Sequence, residues 1–251
     1  MLRARALAPL TLKRAALASG IVACSSSTLA ASNAAPQPAS LKLYYGQIHF
    51  WRAEVVRMTL FIGDVPFEDI RDQPRADLKA AGKMPFGALP VLEVDGKILS
   101  QTQAVAVYAS KLAGLHPADA WLAAKVEECI SGCTDVTSTI AKTMGLPADE
   151  KVPARQKLCA SDGRLTLHLG GLEHICTQNG SNGFAVGSSL TVADLAIWRL
   201  AGWVSSGNID GIPKSFVADN FPAISKVCAA VDAHPKVCEW KALHPKNYGP
   251  K

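Results

Sequence analysis

No stretch of this 251-residue chain approaches the roughly 18 consecutive apolar residues that a membrane-spanning helix requires. No internal repeat is present. The six histidines form no HxxxH or HExxH pattern, and the seven cysteines form no CxxC. Those absences exclude the common helical zinc motifs and dithiol redox chemistry. Cys129 and Cys133 are four apart on an expected helix, which puts them on one face, where buried thiols explain them better than a metal does. A chain of this length buries enough surface to dispense with disulfide staples. Acidic residues are missing from the first 53 positions, whereas Arg3, Arg5, Lys13 and Arg14 lie in the first 40. They supply most of the net charge of +5, so the body is nearly neutral and carries no footprint for nucleic acid.

What is present begins with a segment, residues 1–40, rich in Ala, Ser, Leu and Arg and closing in the turn-prone APQPAS. Its composition suits an organelle transit peptide for a mitochondrion or plastid. A secretory signal with an apolar core at 15–24 and an unprocessed tail are the competing readings, the latter leaving the protein in the cytoplasm. None contributes to the fold.

The rest is organised around residues 84–104, MPFGALPVLEVDGKILSQTQA. Two short apolar runs flank Asp95-Gly96, a strong hairpin signal. Leu89-Pro90 stands at the mouth of the first run, where a proline without an N–H is tolerated. A cis bond there would turn the preceding backbone outward to pair with an extended ligand. Ser100-Gln101-Thr102 opens a helix, whose unpaired N–H groups and dipole favour an anion. An ordinary hairpin followed by a capped helix would share all of these features.

In these residues the chain resembles the glutathione-binding half of the soluble glutathione S-transferases, and among them the sigma-like branch. The family's aliphatic-Pro step is matched by Leu89-Pro90, and its Gln-Ser pair by Gln101-Thr102. Residues 41–45 (LKLYY) read as a first strand, 52–62 as a helix with one broad buried face, and 65–71 as a second strand. A short polar segment ending at Gly82, the hairpin and a helix over 101–112 follow. The order βαβ-α-ββα resembles the family's α/β thioredoxin-like domain, expected over 41–113 and joined by a linker at 114–118 to an all-α domain over 119–251. In that second part only helical periodicity appears, with helices over 121–144, one long pattern over 151–179, and the apolar 191–205. The latter starts on Thr191-x-x-Asp194, a capping-box variant, and 221–240 closes the chain. The resemblance covers about residues 41–245.

The resemblance implies that a tyrosine activates the glutathione thiol. A thiol of pKa about 8.5 is only a few per cent ionised at neutral pH. Lowering that pKa by about two units takes roughly 2.7 kcal/mol of preferential thiolate stabilisation. Strand alternation separates Tyr45 from Tyr44, and Tyr45 falls at the carboxyl end of the strand. Its bland alternative is a packed strand aromatic. Arg52 matches the family arginine of the thiolate site; otherwise it is an arginine paired with Glu54 or Glu68. Leu89 and Pro90 would meet the cysteinyl unit, and Gln101 and Thr102 the γ-glutamyl carboxylate. The glycyl end departs from the family, because the positions of its tryptophan and lysine fall on Asp77 and Ala81, with Lys83 nearby. An acid donated across a dimer interface is expected near 128–135, with Asp135 the candidate. Phe50, Trp51 and Tyr108 would wall a pocket for a small hydrophobic electrophile. The reading is therefore a homodimeric transferase using glutathione as co-substrate, without metal or other cofactor. A glutathione-dependent isomerase or peroxidase, or a crystallin-like protein without catalysis, would use the same scaffold.

Overall fold

The computed structural model describes residues 37–248, so the leader expected over 1–40 lies, up to residue 36, outside the described residues. A four-stranded mixed sheet has the order β2-β1-β3-β4. Strand β1 (Leu41–Tyr44) is parallel to β2 (Glu68–Ile70) and antiparallel to β3 (Val91–Val94), which forms a hairpin with β4 (Lys97–Ser100). The hairpin turns through Asp95 and Gly96, both at positive φ (47° and 80°), the handedness that suits a two-residue turn. Tyr45 lies one residue beyond β1, yet its N–H still reaches Ile70 O at 3.1 Å.

Alternation along β1 sends Leu41 and Leu43 to the main core and Tyr44 to a small opposite cluster with Leu78, Met84 and Val91. Helices α1 (Trp51–Ile62) and α3 (Thr102–Leu112) cover the first face; α2 (Arg75–Ala80), the expected polar segment, contributes Leu78 to the second. Helix α1 has a wider buried surface than its periodicity implies. Glu54, Arg57 and Thr59 are buried together with Ala53, Val55, Val56, Met58 and Leu60.

The remainder is helical: α4 (Ala120–Ala141), α5 (Ala148–Leu158), α6 (Arg164–Gln178), α7 (Val192–Val204), α8 (Phe216–Asn220), α9 (Pro222–Asp232), α10 (Pro235–Leu243) and α11 (Pro245–Tyr248). None of the described helices is long and apolar enough to cross a membrane. Both the sheet region and the helical region contribute to one continuous core. The capping box is formed: Asp194 accepts from Thr191 N at 2.7 Å, and its other oxygen accepts from Ala185 N at 2.6 Å. Cys129 and Cys133 are fully buried and unbridged, as core thiols are, and burial pushes both thiols up.

The pattern over 151–179 is not one helix. It breaks between Leu158 and Arg164, because the chain folds back on itself at Gly163. A Cβ on Gly163 would lie 2.2 Å from Leu158 O, a backbone atom that cannot swing aside. Gly163→Ala should therefore destabilise the protein by about 1–3 kcal/mol, the usual cost of forcing an extra carbon into filled space. A urea titration of the two proteins measures it. The closing stretch 221–240 holds two helices, α9 and the start of α10, parted before Pro235, whose ring occupies the first position of α10.

Candidate active site

The starts of α1 and α3 and the middle of α4 meet at one cavity. Tyr45 sits where β1 runs out. Burial raises its phenol pKa, and the charges of Arg52, Arg57 and Arg75 pull in the opposite direction. The phenol therefore stays protonated at neutral pH and is available as a donor. The Arg57 guanidinium lies 5.8 Å from its ring centroid. Tyr44 points the other way: its hydroxyl donates to Glu93 Oε2 at 3.0 Å and accepts from Lys83 Nζ at 2.8 Å.

Arg52 pairs with neither Glu54 nor Glu68. Glu54 is taken by Arg57 at 3.1 Å and Glu68 by Lys42 at 3.1 Å. Arg52 Nε is buried without a hydrogen-bond partner among the described residues. Its side chain lines a cavity of about 520 Å³ together with Gln101, Thr102, Gln103, Ser131, Thr134 and Asp135. Thr102 is the first residue of α3, so the helix presents its unpaired N–H groups there. Gln101 holds φ 75° and ψ 127°, a conformation an L side chain adopts at a cost of roughly 1–3 kcal/mol. Such strain persists only where surrounding contacts impose it, and it turns the residue before α3 toward the cavity mouth. Asp135, the candidate for an acid donated across an interface, belongs to α4 and lines this cavity within its own chain.

The Leu89-Pro90 bond is cis. The β1–β3 ladder starts at Val91, which leaves the N–H and C=O of Leu89 outside the sheet pairing. Three expectations need correction. Lys83 does not join the other candidates, because its ammonium is held by Glu93 at 2.7 Å and Tyr44 at 2.8 Å behind the sheet. Trp51 is no pocket wall: it is fully buried and donates its indole N–H to Thr137 Oγ1 at 2.7 Å, tying α1 to α4. Phe50 packs edge-on against Trp203 at 5.0 Å and, like Tyr108, is partly buried against the core rather than standing free.

Sequence reasoning missed Arg75, whose Nη2 donates to Gly87 O at 2.9 Å and braces the loop before the cis proline. It also missed Gln103 and Ser131, joined by a 2.8 Å hydrogen bond from Ser131 Oγ to Gln103 Oε1. Gln103 follows the Gln-Thr pair directly, and that adjacency was the available signal. Ser131 comes from another helix and had none.

The family described as glutathione S-transferase, C-terminal domain, matches residues 134–244. Glutathione S-transferase 1 of Ascaris suum is 32% identical over 202 residues, covering 77% of this chain and 92% of that protein. A glutathione S-transferase of Anopheles gambiae is 27% identical over 204 residues, covering 81% and 96%. Among solved structures, prostaglandin synthase D of Nilaparvata lugens aligns with TM-score 0.68 at 25% identity, over 82% of this chain and 98% of that one. A monomeric glutathione S-transferase of the hookworm Necator americanus aligns with TM-score 0.66 at 26% identity, over 82% and 98%. With a third of its residues shared across nearly the whole of the Ascaris protein, and with the cis proline, sheet order and capped core helix in place, the chain belongs to the glutathione S-transferase family.

Proposed function

We propose that the protein is a glutathione transferase of the sigma-like type. In this reading the Tyr45 hydroxyl donates to the glutathione sulfur and holds it as a thiolate for attack on a small apolar electrophile. The observation that carries it is a half-buried, protonated Tyr45 on which the charge of Arg52 acts, with the Arg52 side chain lining the Gln101–Thr102 cavity. The cavity suits an amino-acid zwitterion: Arg52 and the α3 start attract a carboxylate, and Asp135 attracts an ammonium. The γ-glutamyl end of glutathione carries both groups. Leu89, outside the ladder, would pair with the cysteinyl backbone. With Lys83 engaged elsewhere, the grip on glutathione rests on this end of the molecule.

Calorimetry and conjugation of glutathione to a generic aryl halide by the full chain test the reading. Gln101→Ala should raise the glutathione KM about tenfold with kcat little changed, since a hydrogen bond to a charged group contributes about 1.5–3 kcal/mol and is made equally before and during reaction. Binding without turnover would support a non-catalytic relative on the same scaffold; no binding would overturn the reading. Trp121 on α4 and Leu167 on α6 are exposed apolar side chains, and they support a homodimer through those helices. The residues 1–40 would direct the protein to an organelle.

A further inference from the structure

One buried carboxylate joins the two ends of the described chain. Glu54 is fully buried on α1, and three donors converge on its Oε1: His49 Nδ1 at 2.8 Å, Trp240 Nε1 at 2.7 Å and Tyr248 OH at 2.6 Å. Its other oxygen accepts from Arg57 Nη1 at 3.1 Å. The histidine tautomer follows from its neighbours. Arg71 Nη1 lies 2.8 Å from His49 Nε2, and a guanidinium only donates, so Nε2 is the acceptor and Nδ1 carries the proton given to Glu54.

Around this carboxylate is wrapped the segment that follows Tyr45. Gly46 O accepts from Arg57 Nη2 at 3.3 Å, Ile48 O from Arg57 Nη1 at 3.3 Å, and His49 O from Arg199 Nη2. Side chains, not a ladder, therefore hold the loop from Gly46 to Phe50. Tyr248 closes the arrangement from outside. Its ring stacks on Trp198 at 5.8 Å, lies under the Arg199 guanidinium at 5.3 Å and meets the His49 ring edge-on at 5.8 Å. Arg199 thus touches both the loop carbonyl and the C-terminal tyrosine.

We propose that Tyr248 and Trp240 form a C-terminal latch on Glu54 that fixes the loop between Tyr45 and α1. Tyr248 is then a positioning residue for the transferase site, a role that rests on the function proposed above. Without the latch, His49 loses a partner that orders its own acceptor, the guanidinium that holds His49 O loses the ring beneath it, and the loop after Tyr45 loosens. Tyr248 adds to the Trp240 bond on Glu54 its own ring contacts with His49 and Arg199.

Hydrogen–deuterium exchange on the full chain tests this without requiring turnover. Tyr248→Phe keeps the ring and removes the donor; Tyr248→Leu removes both. Amides of 46–50 should exchange about tenfold faster in Tyr248→Phe and faster again in Tyr248→Leu, with α4 amides unchanged. The aryl-halide KM should rise severalfold in both variants, with the glutathione Kd unchanged. Exchange in 46–50 equal to the parent's, or rising equally in α4, would overturn the latch. A parent that never conjugates glutathione, yet shows the selective loop exchange, would retain the latch and defeat only the transferase role assigned to it.

Discussion

Tyr45→Phe should lower kcat/KM for glutathione conjugation about a hundredfold and leave the glutathione Kd within a factor of two or so, as expected when about 2.7 kcal/mol of thiolate stabilisation is removed from an otherwise intact site. The phenol is half-buried, and burial raises its pKa against the pull of the Arg52, Arg57 and Arg75 charges, so it remains a donor throughout the neutral range. In the proposed mechanism it has no need to ionise; its proton would steady the sulfur. On that mechanism, the pH limb of kcat/KM in the parent should report the ionisation of bound thiol, displaced downward by the hydrogen bond. In Tyr45→Phe that limb should move up by about two pH units, toward the ordinary thiol range near 8.5. Stopped-flow or steady-state rates from pH 5.5 to 9.5 measure it. Tyr44→Phe provides the contrast. It removes a hydroxyl bonded to Glu93 and Lys83 on the far side of the sheet, so it should cost about 1 kcal/mol of stability and leave the pH limb in place. A shifted limb in Tyr44→Phe, and none in Tyr45→Phe, would transfer the catalytic role to the other tyrosine.

The distinction between the two tyrosines was legible because it depends only on strand alternation, which local sequence carries. The same holds for the Asp95-Gly96 hairpin, the Leu89-Pro90 step, the start of α3 and the Thr191–Asp194 cap. Each is decided within a few residues by turn geometry or by an unpaired N–H. What stayed hidden is what distant partners decide. Glu54 and Arg57 look like the polar face of an amphipathic helix, yet both are buried because Asp69, Trp240 and Tyr248 arrive to satisfy them. Trp51 reads equally well as a pocket wall or a tie, and only Thr137, 86 residues away, settles which. Lys83 lies close in sequence to the expected glycyl site, but Glu93 on β3 offers it a nearer carboxylate. The break at Gly163 falls inside a run whose leucines keep helical spacing on both sides. Periodicity carries no record of a backbone that doubles back for five residues and then resumes.

Arg57 is where the largest loss of stability is expected. Its guanidinium is fully buried and uses four of its five N–H groups: Nε on both oxygens of Asp69 at 3.1 and 3.0 Å, Nη1 on Glu54, and both Nη atoms on loop carbonyls. Arg57→Met fills much of the volume but leaves the fully buried Glu54 without its cation, which should cost about 3–5 kcal/mol. Arg57→Lys should recover little of it, because one ammonium cannot face two carboxylates and two carbonyls in one plane. The penalty also has a pH signature. Burial pushes the Glu54 pKa up, but the hydrogen bonds from His49 and Tyr248 and the charge of Arg57 outweigh it and hold the group at about 2, against an ordinary 4.5. A folded value below the unfolded one gives stability that is present above about pH 4.5 and is lost as pH falls through 2, about 3 kcal/mol in all. Asp194 acts in the opposite sense: burial outweighs its hydrogen bonds and raises it from 3.8 to about 6, so its contribution is full below 3.8 and is lost as pH rises through 6. Because Asp194 is shared by parent and variant, it cancels in the difference between them, which reports the carboxylates bound to Arg57, the fully buried Glu54 foremost. Urea midpoints taken from pH 7 to pH 2 should show the Arg57→Met penalty constant down to about pH 5 and shrinking below it, as a protonated Glu54 no longer needs a cation. A penalty independent of pH would mean that Arg57 acts by packing alone, and that the charge of Glu54 does not hold the loop beside Tyr45.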